Sequence, residues 1–170
     1  MKISLARVKR FNGNVEQFCF EEKIKHLKIR GENLKFTKPL CVRGEIENIG
    51  KGIFQASGFI SSTVEDHCYR CLRPIEINID RRFNIKFSDT AVREEDENED
   101  IIQINSDEIE FTPYVLNEII LNWPGQVLCS SECKGLCPHC GADLNKTTCD
   151  CKDDQIDPRL SILKQFTNED

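Results

Sequence analysis

The chain has 170 residues, of which 39% are hydrophobic and 31% charged, enough for one modest core with or without a metal-dependent appendage. Its net charge of −6 excludes RNA binding through bulk charge. Residues 1–88 carry 17 Lys and Arg against 10 Asp and Glu, whereas residues 89–170 carry 6 against 19, so any nucleic-acid contact would fall to the basic half.

Alternating apolar and polar residues predict an antiparallel β meander. Residues 1–36 have a mixed pattern, with plausible strands at 18–20 and 24–29. Three longer strands follow, from Leu40 to the turn residues 48–52, from Ile53 to about Asp66, and from Ile75 to Ser88. Each has one apolar and one polar face, as in an antiparallel sheet or barrel wall. The predicted fold class is α+β: an antiparallel β meander or partly closed barrel with one packed helix and a C-terminal Cys-rich zinc module.

Two features interrupt this pattern. Arg81 breaks the apolar row of the third strand, which we interpret as a β-bulge or barrel mouth in preference to a phosphate contact. Residues 94–100 form an acidic run, so about 89–100 is expected to be a flexible solvated loop. Nucleic-acid mimicry or contact with a basic partner is the alternative reading of that run.

Helices are predicted after this loop. Thr112 supplies a cap and Pro113 a first helical residue. The apolar face of this helix is predicted to comprise Leu116, Ile119, Ile120 and Trp123. A second, short helix is predicted to begin at Asp157-Pro158. We therefore expect a β-rich core with a helix over 1–125 and a Cys-rich zinc-binding module with the short helix over 126–170.

Eight of the ten cysteines occur in pairs with metal-ligand spacing: Cys68, Cys71, Cys129, Cys133, Cys137, Cys140, Cys149 and Cys151. A Cys-x2-Cys pair can place both sulfurs about 2.3 Å from one zinc ion, and two pairs complete a tetrahedron. The sequence therefore predicts two structural Zn²⁺ sites of four thiolates each. A disulfide framework is the rival, but disulfides belong to oxidising compartments. Charge interrupts residues 1–7 before a signal-peptide core develops, so we expect a cytoplasmic protein with reduced thiols.

The spacing favours one division of these thiols. Cys137, Cys140, Cys149 and Cys151 would form one local site because short loops close at little entropic cost. The other four would tie the turn between the two longest strands to the segment after the helix. Exchanging Cys129 and Cys133 for Cys149 and Cys151 is the main alternative. Residues 129–155 hold few apolar residues, so zinc rather than burial is expected to fold this stretch.

No catalytic residues are predicted. A catalytic zinc keeps an open position, whereas four thiolates would fill each site here. His139 lies inside the Cys137-x2-Cys140 knuckle and could replace a sulfur, although such a His is more often exposed. Cys19 and Cys41 stand between apolar residues and are interpreted as small buried hydrophobes.

Several motifs together resemble the bacterial YceD family. Residues 133–145, the Cys149-x-Cys151 pair and residues 157–160 carry the resemblance. The Cys68-x2-Cys71 motif and the segment ending at Trp123-Pro124 fit the same family. Its members are described as large ribosomal RNA subunit accumulation proteins, with genes commonly beside that of a large-subunit ribosomal protein. The resemblance implies a role in the synthesis, processing or stability of 23S rRNA, and it brings no catalytic residues.

Three functions are considered. The leading hypothesis is a non-enzymatic ribosome-biogenesis factor whose basic β region contacts 23S rRNA or a precursor particle through Arg70, Arg73, Arg81 and Arg82. Its acidic half would face a basic large-subunit ribosomal protein or an rRNA-processing factor, or stay in solvent. The second is a zinc-stabilised protein-binding adaptor without direct RNA contact, and the third is a metal-dependent nuclease or hydrolase. No membrane or small-molecule substrate is expected.

Overall fold

The computed structural model describes residues 1–29, 31–90 and 100–151, with only the backbone of Glu32. Most of the acidic run and the helix predicted at Asp157-Pro158 lie outside these ranges. The described chain is mostly β, with one α-helix and clustered cysteines. It holds no helix with the length and apolar character of a membrane span. The division into regions 1–125 and 126–170 stays a prediction.

The elements follow in chain order. The strands are β1 Lys2–Ser4, β2 Val15–Glu22, β3 His26–Ile29, β4 Glu32–Phe36, β5 Leu40–Gly50, β6 Ile53–His67, β7 Pro74–Ser88, β8 Ile101–Gln103 and β9 Glu108–Glu110. A 3-10 turn covers Val8–Arg10, and helix α1 covers Thr112–Leu121. The three long predicted strands correspond to β5, β6 and β7, and their antiparallel meander is confirmed.

Strand β6 organises the main sheet. One edge of β6 pairs with β7 along its whole length, while residues 53–61 on the other edge pair with β5. Beyond them, Val64 and Glu65 pair with β4, which in turn pairs with β3. Strand β2 pairs with β5, β8 lies parallel to β7, and β1 with β9 forms a separate two-stranded sheet. Among the described residues no strand pairing closes this sheet, so the partly closed barrel is not confirmed.

The core lies on the face of the sheet that α1 covers. The predicted apolar row of β6, which comprises Phe54, Ala56, Ile60 and Val64, is buried throughout. The Phe111 ring meets the Phe83 ring edge-on at 5.6 Å, and Tyr114 meets Phe87 at 5.2 Å. Such aromatic contacts add to the free energy of burying apolar area.

Helix α1 buries the predicted Ile119, and the predicted Leu116 and Trp123 pack half-buried on the core, but the buried stripe is shifted toward Val115 and away from Ile120. Val115 and Ile119 are buried, whereas Ile120 is 37% exposed. The ring of Phe111, which contacts Phe83 and Phe87, sets this rotation, because residues 111, 115 and 119 fall on one helical stripe. Thr112 is not the cap either; Phe111 is the N-cap, and the Thr112 hydroxyl donates to Glu110 at 3.0 Å or Glu22 at 3.2 Å.

No bulge occurs at Arg81, so that interpretation is wrong. The β6–β7 register runs without a shift from Ile53 opposite Ser88 to His67 opposite Pro74. The Arg81 guanidinium donates to the carbonyl of Asn122 at 3.5 Å, at the C-terminal end of α1. A cation at this end complements the helix dipole, which explains a charge in an apolar row.

Two glycines let β5 and β6 approach closely. Gly44 and Gly58 are partners in register, and a Cβ on Gly58 would lie 2.1 Å from the Arg43 carbonyl oxygen. A Cβ on Gly44 would lie 2.2 Å from the Ser57 carbonyl oxygen. No other residue fits at either position without separating the strands.

Candidate metal centres

The structure places eight cysteines in two groups of four. The first cluster comprises Cys68, Cys71, Cys129 and Cys133; the second cluster comprises Cys137, Cys140, Cys149 and Cys151. Within each cluster all four sulfur atoms lie within 4.8 Å of one another. These are the groups that loop closure favoured, not those of the exchanged alternative. All ten cysteines are free thiols.

The first cluster joins two distant parts of the chain. Residues 68–73, here called the hairpin tip, connect β6 to β7, and the Cys68 amide closes the tip by donating to Arg73 O at 2.8 Å. Cys129 and Cys133 come from the segment after α1. Backbone bonds hold the two together, from the Tyr69 amide to Val127 O at 2.9 Å and from the Leu136 amide to Arg70 O at 3.1 Å.

The sulfur spacing in the first cluster suits a tetrahedral zinc ion. The Sγ atoms of Cys68 and Cys133 are 3.8 Å apart, and those of Cys71 and Cys129 are 3.7 Å apart. A tetrahedron with metal–sulfur bonds of about 2.3 Å has edges of about 3.8 Å. A disulfide requires about 2.05 Å. The donor set, four thiols without a carboxylate or imidazole, also favours zinc over harder cations.

The thiols of the first cluster differ in their acidity. Burial of Cys68 opposes its ionisation, but amide groups of Cys129, Cys71 and Arg70 pointing at its sulfur lower its pKa to about 6. The amide of Arg73 favours the Cys71 thiolate, yet burial and the neighbouring sulfurs outweigh it and raise its pKa to about 11. Like charges at this distance cannot all ionise by themselves. A divalent cation among the sulfurs would remove that obstacle.

The hairpin tip surrounds these sulfurs with further donors. The Arg73 guanidinium donates to Cys129 Sγ at 3.1 Å, and the Arg70 guanidinium donates to Cys133 O at 2.8 Å. The Asn145 amide donates to Cys133 Sγ at 3.5 Å. Donors of this kind orient metal ligands and balance their charge. The contribution of Asn145 has no signal in the cysteine spacing, because it depends on how the segment folds back.

The second cluster is built on a knuckle. The Cys137 amide donates to Ala142 O at 2.8 Å, and the Gly141 amide donates to Cys137 O at 2.9 Å. Amide groups of Cys140 and His139 directed at Cys137 outweigh its burial and lower its pKa to about 6. The sulfurs of Cys140 and Cys137 raise the pKa of Cys151 to about 12. His139 is exposed and lies outside the cluster.

The two clusters differ in access to solvent. In the first cluster Cys68, Cys71 and Cys133 are buried, whereas in the second only Cys137 is. Cys140 and Cys151 are exposed. The short segment 133–137 connects the clusters. Its Gly135 has φ +78° and lies against the hairpin tip, where an added Cβ would be 3.0 Å from Arg70 O. Glycine is required there by both conformation and contact.

The four predicted RNA-binding arginines are not brought together. Arg70 and Arg73 lie on the hairpin tip. Arg81 lies farther along β7, about 23 Å from the start of that strand at the usual rise of about 3.3 Å per residue. Arg82 lies over the Phe59 ring at 5.2 Å on the opposite face of β7 from Arg81. All four are exposed, and each has an intramolecular partner.

The interpretation of the remaining two cysteines as buried is wrong. Cys19 is exposed and Cys41 half-buried. On β2 and β5 the alternation directs Phe18, Phe20 and Val42 toward the core, which leaves Cys19 and Cys41 on the outer face.

Comparison with known sequences agrees with the motifs. The model of the family "Large ribosomal RNA subunit accumulation protein YceD" matches residues 56–167. The uncharacterized protein YlbN of Bacillus subtilis is 29% identical over 165 residues, 91% of each chain. The uncharacterized protein Mb2951c of Mycobacterium bovis is 26% identical over 71% of this chain and 58% of its own length. The Zea mays chloroplastic protein "Large ribosomal RNA subunit accumulation protein YCED homolog 1" is 26% identical over 67% of this chain and 49% of its own length. No solved structure matches.

Proposed function

We propose, on the premise that this chain belongs to the YceD family, that it is a non-enzymatic factor in ribosome biogenesis. It acts in the synthesis, processing or stability of 23S rRNA, in the cytoplasm of a bacterium. The observation that carries the proposal is the family match over residues 56–167, which includes both cysteine clusters. The name of the maize relative supports the link to large-subunit rRNA.

Zinc in this proposal is structural. Each cluster offers four thiols, the number that closes a tetrahedral site and leaves no position for a substrate. When bound, Zn²⁺ would offset half of the charge of four thiolates, and in the first cluster it would cross-link the hairpin tip to the segment after α1. Besides cysteine, the apolar residues between Cys129 and Cys151 are Leu136, Ala142 and Leu144, and all three are only half-buried. Burial alone therefore contributes little to the folding of this segment.

The partners follow from the charge distribution. The basic half would face 23S rRNA or a precursor particle, and the acidic half a basic large-subunit ribosomal protein or an rRNA-processing factor. Arg70 and Arg73 remain candidates for RNA contact because both are exposed on the hairpin tip.

Depletion of the protein in its own cells tests this proposal. The ratio of mature 23S to 16S rRNA should fall, and expression of the wild-type chain should restore it. A C68S/C71S variant should fail to restore it, whereas an R10Q variant, altered at an exposed site outside both clusters, should succeed. An unchanged 23S to 16S ratio after depletion would contradict the proposed function.

A protein-binding adaptor without direct RNA contact is the second candidate, favoured by the hairpin tip. Tyr69 and Leu72 are 64% and 63% exposed there. They border a groove of about 610 Å³ that Trp123 and Pro124 also line. Exposed apolar residues beside a groove are typical of protein-binding surfaces. Ultraviolet crosslinking in cells separates the candidates, because an adaptor would yield protein partners and no direct rRNA adducts.

A further inference from the structure

Four lysines surround a groove that the cysteine motifs do not touch. The lysine groove is lined by Lys23, Lys25, His26, Lys35 and Lys38, and has a volume of about 440 Å³. Its residues come from the link between β2 and β3, from the first residue of β3, from β4, and from the link between β4 and β5. Among the side chains that the structure describes, none that lines it is acidic.

These four lysines are exposed and uncommitted. Within residues 1–29, 31–90 and 100–151, none of their ammonium groups makes an ion pair or a hydrogen bond. Glu65 faces Lys35 in register across β4 and β6, but no ion pair joins them. Glu22 precedes Lys23, and its carboxylate is turned to the Met1 amino group at 3.4 Å. By contrast, the exposed arginines of the tip and of β7 all have partners.

The backbone that carries the lysines is held in place. The Phe36 amide donates to Lys25 O at 3.2 Å, which ties the end of β4 to the link between β2 and β3. The Thr37 amide donates to Thr63 O at 2.9 Å, and the Ser62 hydroxyl donates to Lys38 O at 3.0 Å. The buried Phe36 ring forms part of the floor. The backbone hydrogen bonds therefore hold the groove to the sheet edge, with four exposed lysines around it.

We infer that the lysine groove binds the phosphate backbone of RNA. This inference rests on the proposed function, which supplies RNA as the polyanion. A lysine ammonium is a point charge that contacts phosphate without reading the base, so the binding is independent of sequence. The groove lies before residue 56, where the family match begins, so the matched motifs do not include it.

A charge-matched pair of variants tests the inference. The groove variant carries Lys23→Gln, Lys25→Gln, Lys35→Gln and Lys38→Gln. The control variant carries the same change at four exposed lysines elsewhere, Lys2, Lys51, Lys134 and Lys146. Both take the net charge from −6 to −10. Binding of a 20-nucleotide single-stranded RNA of mixed sequence is followed by fluorescence anisotropy between 50 mM and 200 mM salt.

The wild-type and control proteins should bind with a steep salt dependence. Four phosphate contacts account for a slope of about 2.8 in log K against log salt. Over this fourfold range the wild-type affinity should therefore fall about 50-fold more than that of the groove variant. Equal salt slopes for the wild-type protein and the groove variant would overturn the inference. Tight binding of a 20-residue polyglutamate that depends on the four lysines would also overturn it and would indicate an acidic protein partner.

The inference and the proposed function fail separately. If the wild-type chain restores 23S rRNA in depleted cells but the groove variant binds RNA as the wild-type protein does, only the groove assignment is wrong. If depletion leaves 23S rRNA unchanged, the proposed function is wrong whatever the lysines bind.

Discussion

The guanidinium of Arg73 donates a hydrogen bond to the sulfur of Cys129 over 3.1 Å, across 56 residues of sequence. This bond and the charge of the Cys129 sulfur raise the pKa of Arg73. In the other direction, a cation beside a thiolate stabilises the ionised form in which cysteine binds zinc. The hairpin tip therefore supplies two of the candidate ligands, Cys68 and Cys71, and also the guanidinium that donates to a third, Cys129.

Replacing Arg73 should weaken the first cluster. We expect Arg73→Gln to release its zinc about 10-fold faster, the lower end of the effect of removing a donor to a metal ligand. Arg81→Gln removes the same charge from β7 without touching a sulfur and serves as the control. Zinc transfer to a chromogenic chelator measures both rates. Equal rates for the two variants would show that the Arg73 contact has no role in metal retention.

The division of ligands can be tested by stoichiometry. A C68S/C71S variant should hold one zinc ion rather than two, because the second cluster closes with its own four sulfurs. A C137S/C140S variant should also hold one, retained in the more buried first cluster. Elemental analysis after gel filtration gives the counts. Loss of both ions from either variant would contradict two independent clusters.

Two glycines of the cysteine-rich segment form a matched pair. Gly135 and Gly141 have φ values of +78° and +74°, so alanine at either costs about 1–2 kcal/mol in backbone strain. An added Cβ at Gly135 would also lie 3.0 Å from Arg70 O, whereas at Gly141 it meets nothing within 4 Å. Gly135→Ala should therefore destabilise the zinc-loaded protein more than Gly141→Ala in urea unfolding. A larger loss of stability in Gly141→Ala than in Gly135→Ala would show that the close contact between Gly135 and Arg70 does not contribute to stability.

Acid stability should depend on Glu110. The hydrogen bond that its carboxylate accepts from the Met1 amino group lowers the pKa of Glu110, and a second hydrogen bond from Thr112 lowers it further. A lowered pKa in the folded state stabilises the fold above the ordinary pKa of glutamate, and this contribution is lost as the pH falls through the folded value.

Glu110→Gln should accordingly lower the thermal midpoint between pH 7 and pH 5, and the deficit should vanish in more acidic solution. Glu45→Gln, at an exposed site on β5, corrects for any effect of acid on the thiols. A deficit that persists unchanged below pH 3 would show that the carboxylate charge is not its cause.

Much of the sheet was predictable because β6 and β7 are long, 15 residues each, and β7 alternates with a period of two on both sides of Arg81. The grouping of cysteines followed from short loop closure. The orientation of α1 did not, because Phe111 selects the buried stripe through contacts with Phe83 and Phe87 that are distant in sequence. The role of Arg81 depends on the position of α1, whereas the exposure of Cys19 follows from the alternation with Phe18 and Phe20 and was open to prediction.

The central claim is that two tetrahedral zinc ions, each held by four thiolates, scaffold the cysteine-rich half of the fold. Native mass spectrometry of the freshly purified chain tests it most directly. Two zinc ions per folded polypeptide are predicted, with the charge distribution shifting to that of an unfolded segment after chelation. A folded protein that carries no metal, and keeps its charge distribution in chelator, would contradict the account.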